Sequence, residues 1–168
     1  MLKSIAILFL ITLIPGLELR ASIPAGIFGK EWLATPLPWP TVVAVCVLSN
    51  ILIGMAVFFL LDPVVRLFRR IGWIERILNA TLDRAQGKLR PSVERYGFWG
   101  LALFIGIPLP LTGAYTGAMG AYMLGMGRGR FILANLAGVC LAGFAVTAIC
   151  LLMQAGVSLP IFQWLIKQ

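Results

Sequence analysis

Two apolar stretches of this chain are interrupted by proline and glycine, and each is followed by one unbroken apolar run. The first is Leu13-Ile14-Pro15-Gly16-Leu17-Glu18-Leu19-Arg20-Ala21-Ser22-Ile23-Pro24-Ala25-Gly26. The second is Ile105-Gly106-Ile107-Pro108-Leu109-Pro110-Leu111-Thr112-Gly113-Ala114-Tyr115-Thr116-Gly117. Proline removes a backbone donor and glycine releases the chain from helical angles, so both stretches break a helix inside apolar sequence. In hydrocarbon such a break leaves polar backbone groups unpaired unless it is buried in protein or lines a wet cavity. Paired breaks in the two halves of a membrane protein therefore point to a transport site.

Composition agrees with a membrane setting. Of 168 residues, 60% are hydrophobic and 12% charged, which leaves room for four to six embedded segments and no separate soluble domain. The net charge of +8 would suggest nucleic acid in a soluble protein. Here eight Lys/Arg and four Asp/Glu fall between residues 62 and 95. A basic cluster beside a span is better explained by the positive-inside rule and by anionic headgroups, so no nucleic-acid partner is expected. Cys46, Cys140 and Cys150 lie in apolar runs and read as buried small hydrophobes. With no histidine in the chain, neither a metal nor another cofactor is expected. The N-terminal run Ser4–Ile14 after Lys3 has the outline of a signal peptide, but Glu18, Arg20 and the lack of an A-x-A pattern argue against cleavage.

Thr41–Leu61 and Phe131–Met153 are uncharged and long enough to span as helices. Ser4–Ile14 and Tyr96–Ile107 are not. Twelve helical residues reach only about 18 Å, little more than half the hydrocarbon core. Each reads as the descending limb of a re-entrant hairpin, with return limbs Ala21–Gly29 and Leu111–Met126. If 62–95 is cytoplasmic, re-entry of 96–126 brings Arg128 and Arg130 back to the cytoplasm, as the positive-inside rule prefers. The predicted fold is an all-α integral membrane protein with a single domain. Two opposed re-entrant helical hairpins are each followed by a transmembrane helix, as an inverted repeat. Residues 3–61 form the first repeat with its span at 41–61, and 96–153 the second with its span at 131–153. Residues 154–168 are a C-terminal segment. Between the repeats, Val64, Leu67, Phe68, Ile71, Ile74, Leu78, Leu82, Ala85 and Leu89 alternate with Arg66, Arg69, Arg70, Arg76, Arg84 and Lys88. That pattern predicts a basic amphipathic helix along the headgroups, with a solvated orienting linker as the alternative. In that location the glycosylation pattern at Asn79 would be silent.

Glu18 and Arg20 are the only charges between Lys3 and Lys30. Charges at membrane depth are costly, and they normally pair or face a polar pathway. Glu18 could take up a proton, and Arg20 could hold an anion through its planar fork. The alternative is that both snorkel from an interfacial loop. Two residues apart, they share one side in extended or irregular backbone but not in a helix. The second break has no charge; it offers Thr112, Tyr115 and Thr116, and a half-helix N-terminus that suits anions. Gly113, Gly117 and Ala121, like Ala21 and Ala25, recur at four-residue steps that suit close helix packing. Asn50 and Asn135 are single amides within the spans, read as interhelical hydrogen bonds. No catalytic constellation is present, so an enzyme is not expected.

The segment Glu18–Gly26 resembles the E-L-R-x-x-I-P-x-G motif of the small multidrug export protein family of prokaryotes. Residues 108–118 resemble that family's P-L-P-x-T-G-x-x-[T]-G-A signature, with Leu111 standing where the family has glycine. The resemblance covers essentially the whole chain. It implies a multi-pass transporter of the prokaryotic cytoplasmic (inner) membrane. It also implies a distant likeness to the DedA/VTT membrane proteins, which are similar in having opposed hairpins and are linked to lipid-carrier or phospholipid translocation. In those relatives an acidic residue of the first hairpin and arginines of the second are functional. Glu18 matches the first role; the second hairpin here lacks arginine, the nearest being Arg128 and Arg130.

The expected site lies between the hairpins, with Glu18 as coupling or substrate carboxylate, Arg20 as its partner, and Thr112, Tyr115 and Thr116 as polar lining. Pro15, Gly16, Pro24, Pro108, Pro110, Gly113 and Gly117 are the expected break residues. The expected function is a small exporter, coupled to protons, whose substrate is a small amphiphile. The alternatives are a flippase for a phospholipid or polyprenyl-phosphate carrier, and a non-transporting scaffold that organises membrane lipids. A homodimer would help so short a chain enclose a midplane cavity.

Overall fold

The computed structural model describes residues 1–29, 33, 35–68, 97–108 and 112–155. The predicted amphipathic helix from residue 69 onward, Pro110, and the C-terminal segment beyond 155 lie outside the described residues. Within them all regular structure is helical: α1 Leu2–Thr12, α2 Glu18–Phe28, α3 Trp39–Phe68, α4 Gly97–Gly106, α5 Ala114–Met123 and α6 Arg128–Gln154. Two of these contain stretches long and apolar enough to cross a membrane, Trp39–Val65 and Arg128–Gln154. At 27 residues each, they reach about 40 Å. α1 and α2 have 11 residues each, about 16 Å, and α5 has 10. The four short helices come in pairs, one before each long helix.

α3 is the axis of the molecule and packs against α1, α2, α5 and α6. Its neighbours can be placed along its length. Near its start, the Met1 ammonium donates to Thr35 Oγ1 at 2.6 Å and Ser4 Oγ donates to the Thr35 carbonyl at 2.9 Å. Gly26 of α2 returns to the same level, where an added Cβ would run into Val42 and Leu8. At mid-length Asn50 meets α2 and Gly54 meets α5. At the far end Asp62 accepts from the Tyr122 hydroxyl at 3.0 Å and lies 3.6 Å from the Arg128 guanidinium. α6 runs antiparallel to α3: Arg128 sits by Asp62, Asn135 by Ile51, and Gly143 by Val47.

The core follows from this arrangement. Leu8, Leu19, Ile23, Val42, Cys46, Ile105, Val139 and Val146 form one buried cluster around the first half of α3. Phe58, Ala118, Ala121, Met126 and Phe131 form the second. Small residues set the approach of the helices: Gly117 of α5, one of the positions whose spacing suits close packing, lies on Ile105, and Gly138 of α6 lies on Ala102 and Ile105 of α4. The turn from α5 into α6 is closed by Gly125 at φ +67, with Met126 N–H on Ala121 O at 2.9 Å and Gly125 N–H on Tyr122 O at 3.0 Å. This paired 6→1 and 5→2 closure is a Schellman motif, for which glycine is the natural residue.

Four expectations are corrected. α3 does not stop at Leu61 but runs through Pro63 to Phe68, the proline giving up its bond to the Phe59 carbonyl without ending the helix. α2 begins at Glu18, so Arg20 occupies a helical first turn instead of irregular backbone, while Glu18 opens that turn at a positive φ. Pro24 and Gly117 lie inside α2 and α5 and do not mark breaks. Cys140 is exposed, unlike Cys46 and Cys150.

Phe131 is fully buried and stacks on Phe58 with centroids 4.1 Å apart and planes 9° from parallel. Lipid is as apolar as the core, so truncation here costs mainly packing contacts and less than in an aqueous core. Phe131→Ala should lower unfolding stability in mixed micelles by about 2 kcal/mol. Phe144→Ala, at a position 75% exposed, should change it by less than about 0.5 kcal/mol.

Candidate functional site: the junction of the two breaks

The backbone between α1 and α2 turns at Pro15 and Gly16, the latter at φ +86. Glu18 follows at φ +47, which puts a carboxylate-bearing residue in the left-handed region that side chains other than glycine seldom adopt. Strain of this kind persists only where surrounding contacts enforce it. Those contacts come from the other break. Glu18 Oε2 accepts from Ala114 N–H at 3.1 Å, and Oε1 accepts from Tyr115 N–H at 3.3 Å. The Asn50 carboxamide of α3 donates to Oε2 at 3.3 Å. Glu18 is only 3% exposed.

The first amides of a helix have no partner within it, and they carry the positive end of its dipole. The N-cap of α5 is Gly113, which has no side chain to serve them. Glu18 supplies the cap from another part of the chain. Gly113 is required for that approach, because a Cβ there would collide with the Glu18 carboxylate.

Arg20 does the complementary thing two residues later. Its Nη2 donates to Thr112 Oγ1 at 2.8 Å and to the Ile107 carbonyl at 3.2 Å. Thr112 Oγ1 donates to the same carbonyl at 2.9 Å. Ile107 directly follows α4, so its carbonyl belongs to the negative end of that helix, where a cation is favoured. The acid of the first break thus caps the helix leaving the second break, and the base caps the helix entering it. Tyr115 completes the junction, its hydroxyl donating to the Leu13 carbonyl at 2.6 Å.

Beside this junction is a cavity of about 450 Å³ lined by Pro15, Gly16, Glu18, Val57, Thr112, Tyr115, Thr116 and Met119. Its walls are largely apolar. The edge of the Glu18 carboxylate and the side chains of Thr112, Tyr115 and Thr116 are its polar groups. Thr116 Oγ1 bonds weakly back to Gly113 O at 3.4 Å. Of the five residues expected to line a site, Glu18, Thr112, Tyr115 and Thr116 line this cavity, and Arg20 joins them through its bond to Thr112 without lining it. Of the expected break residues, Pro15 and Gly16 turn the first break, and Pro108 and Gly113 flank the second. No cluster of potential metal ligands occurs among the described residues.

Sequence reasoning does not single out Asn50 for this site. Asn50 is 1% exposed and its Oδ1 has no donor. Asn135 is 0% exposed; its Nδ2 donates to Ile51 O at 3.1 Å while its Oδ1 also has no donor. A carboxamide in an otherwise apolar span is a readable signal, but its target is not.

If the Glu18 cap holds the breaks together, Gly113→Ala should cost about 2 kcal/mol in thermal unfolding, the scale of lost charge-assisted hydrogen bonds. Gly120→Ala, at a helical site where an added Cβ meets nothing, should be neutral or slightly stabilising.

The family described as "Putative small multi-drug export protein" matches residues 18–145, which runs from the Glu18 cap through the first two thirds of α6. No curated protein and no solved structure matches the chain. Glu18 and Arg20 of the first break, the second break and most of both long helices fall inside the matched region, and the chain belongs to this family.

Proposed function

We propose that the protein is a proton-coupled exporter of small cationic amphiphiles whose site is the cavity at the junction of the breaks. The observation that carries this reading is the position of Glu18. One carboxylate borders an apolar cavity and also holds the start of α5. Apolar walls with a single buried acid suit a hydrophobic cation, which finds there the counter-ion that hydrocarbon lacks. Proton and substrate compete for the same negative charge, so binding one releases the other, the logic of exchange. Either partner neutralises Glu18 and weakens its hold on the α5 dipole by about 0.3–2 kcal/mol. That lets the two breaks shift against each other. Translocation of a lipid phosphate is less well supported, because the α5 amides that would suit a phosphate are already taken by Glu18.

The reading includes a topology. Helix pairs α1–α2 and α4–α5 enter from opposite faces as re-entrant hairpins and meet tip to tip at mid-membrane, the two halves forming an inverted repeat in the prokaryotic inner membrane. Three observations support it. Limbs of 10 or 11 residues are too short to cross. Met1 lies beside Thr35, just before α3 begins, as expected for a hairpin that returns to the side it entered. Arg128 lies beside Asp62, so the chain leaves α3 and enters α6 on the same side. With 62–95 cytoplasmic by the positive-inside rule, Arg128 is cytoplasmic too.

In proteoliposomes with an imposed pH gradient, Glu18→Gln should abolish gradient-driven accumulation of a cationic amphiphile such as ethidium. Unaltered accumulation would refute the role of Glu18. Separately, Arg128→Cys in a background without Cys46, Cys140 and Cys150 should react with impermeant maleimide from the cytoplasmic side. Exclusive labelling from outside would contradict the hairpin topology.

A further inference from the structure

The two donorless carboxamide oxygens, Asn50 Oδ1 and Asn135 Oδ1, are buried acceptors on two different helices; Asn50 touches Glu18, and Asn135 shares the surroundings of Gly54 with Ala114. Buried acceptors in native proteins nearly always have donors, so a pair of orphans calls for an explanation. The hydrogen-bond inventory of the carboxyl group supplies one. As an anion, Glu18 only accepts: Oε2 takes Ala114 N–H and Asn50 Nδ2–H, and Oε1 takes Tyr115 N–H. As an acid it must donate one O–H while its other oxygen still accepts. If the proton goes to Oε2, Oε1 keeps the Tyr115 amide. The O–H then needs an acceptor, and Oε2, which has lost its negative charge and one lone pair, holds Ala114 N–H more weakly.

Both acceptors are in place. Asn50 already faces Oε2, and rotation of its carboxamide by half a turn exchanges Nδ2 for Oδ1, turning a donor to the anion into an acceptor for the acid. Asn135 Oδ1 lies 2.6 Å from the point where a Gly54 Cβ would sit, and Ala114 Cβ lies 3.0 Å from that same point. Both therefore border the same spot beside Gly54, which puts Asn135 Oδ1 on the face of α3 that Ala114 also meets. We propose that Asn50 and Asn135 are positioning residues for proton binding at Glu18: Asn50 Oδ1 receives the Glu18 O–H, and Asn135 Oδ1 receives the Ala114 N–H that the acid lets go. This rests on Glu18 being the coupling carboxylate. The handover gives both donors of the acid state an acceptor, and it moves the start of α5 from contact with α2 toward contact with α6. The charged and titratable groups facing Glu18 are Arg20 on its own helix and Tyr115 on α5. From α3 and α6 the facing groups are these two uncharged amides.

The test is pH-difference infrared spectroscopy of the full-length protein in lipid, comparing wild type with Glu18→Gln, Asn50→Leu and Asn135→Leu. Acidifying wild type should produce a protonated-carboxyl C=O band, absent in Glu18→Gln, together with a shift of asparagine amide bands. In Asn50→Leu the carboxyl band should move to higher frequency, because the O–H has lost its acceptor. In Asn135→Leu the band should keep its frequency, but its titration midpoint should fall by about one pH unit, a roughly tenfold loss of proton affinity. A merely structural asparagine would lower stability without moving either quantity. Should a variant fail to fold, wild type labelled with isotopic asparagine gives the same answer through the pH dependence of its amide bands. A carboxyl band present in wild type with unmoved asparagine bands, or unchanged spectra in both asparagine variants, would overturn the handover alone. Absence of any Glu18-dependent band would overturn it together with the coupling role of Glu18.

Discussion

Everything in this molecule turns on two charges finding two helix ends. Glu18 sits on the opening amides of α5, and Arg20 sits on the carbonyl that follows α4. In water each contact would contribute little, because solvent would serve the same groups. In the proposed topology the junction lies at membrane depth, where no solvent is at hand and an unpaired amide or carbonyl costs several kcal/mol. A helix broken in apolar sequence needs partners for its loose ends. A charged pair in apolar sequence needs partners for its charges. Each break here answers the other's need.

That reciprocity explains why the two breaks are chemically unlike. The first carries acid and base and turns through Pro15 and Gly16. The second carries no charge and presents Gly113, whose bare Cα lets the carboxylate reach the backbone. Two charged breaks would repel or demand further counter-ions, and two uncharged ones would leave helix ends unsatisfied. The positive φ of Glu18 belongs to the same bargain: its backbone is held in a disfavoured region while three donors converge on its side chain. A contact that satisfies so many groups with one carboxylate is also one that a single proton can change.

Much of the fold is legible in the sequence. Uncharged runs at 41–61 and 131–153 predict the two long helices, since charge is what hydrocarbon excludes, and both helices contain those runs. Pro15–Gly16 and Pro108–Gly113 predict the interruptions. Precision fails where a local rule has an exception that depends on tertiary context. Pro24 reads as a breaker but sits inside α2, and Pro63 sits inside α3. Glu18 and Arg20 read as loop charges because two-residue spacing does not share a helical face, yet they occupy the first turn of α2, where each reaches a different helix end. The site residues are legible as types, acid, base and hydroxyls, but their pairing is not, because partners 87 to 97 positions apart leave no trace in local pattern. Asn50 shows the limit most clearly. Its amide is conspicuous in an apolar span, but the same signal would suit any interhelical bond.

The most direct measurement is the distance between the Glu18 carboxyl carbon and the Ala114 amide nitrogen in lipid bilayers, by carbon–nitrogen dipolar recoupling on protein labelled at glutamate side chains and alanine nitrogens. A carboxylate capping α5 predicts strong dephasing consistent with the 3.1 Å hydrogen bond, lost in Glu18→Gln when its amide carbon is left unlabelled. Absence of dephasing on the wild-type carboxyl signal would mean that the two breaks do not meet through this contact.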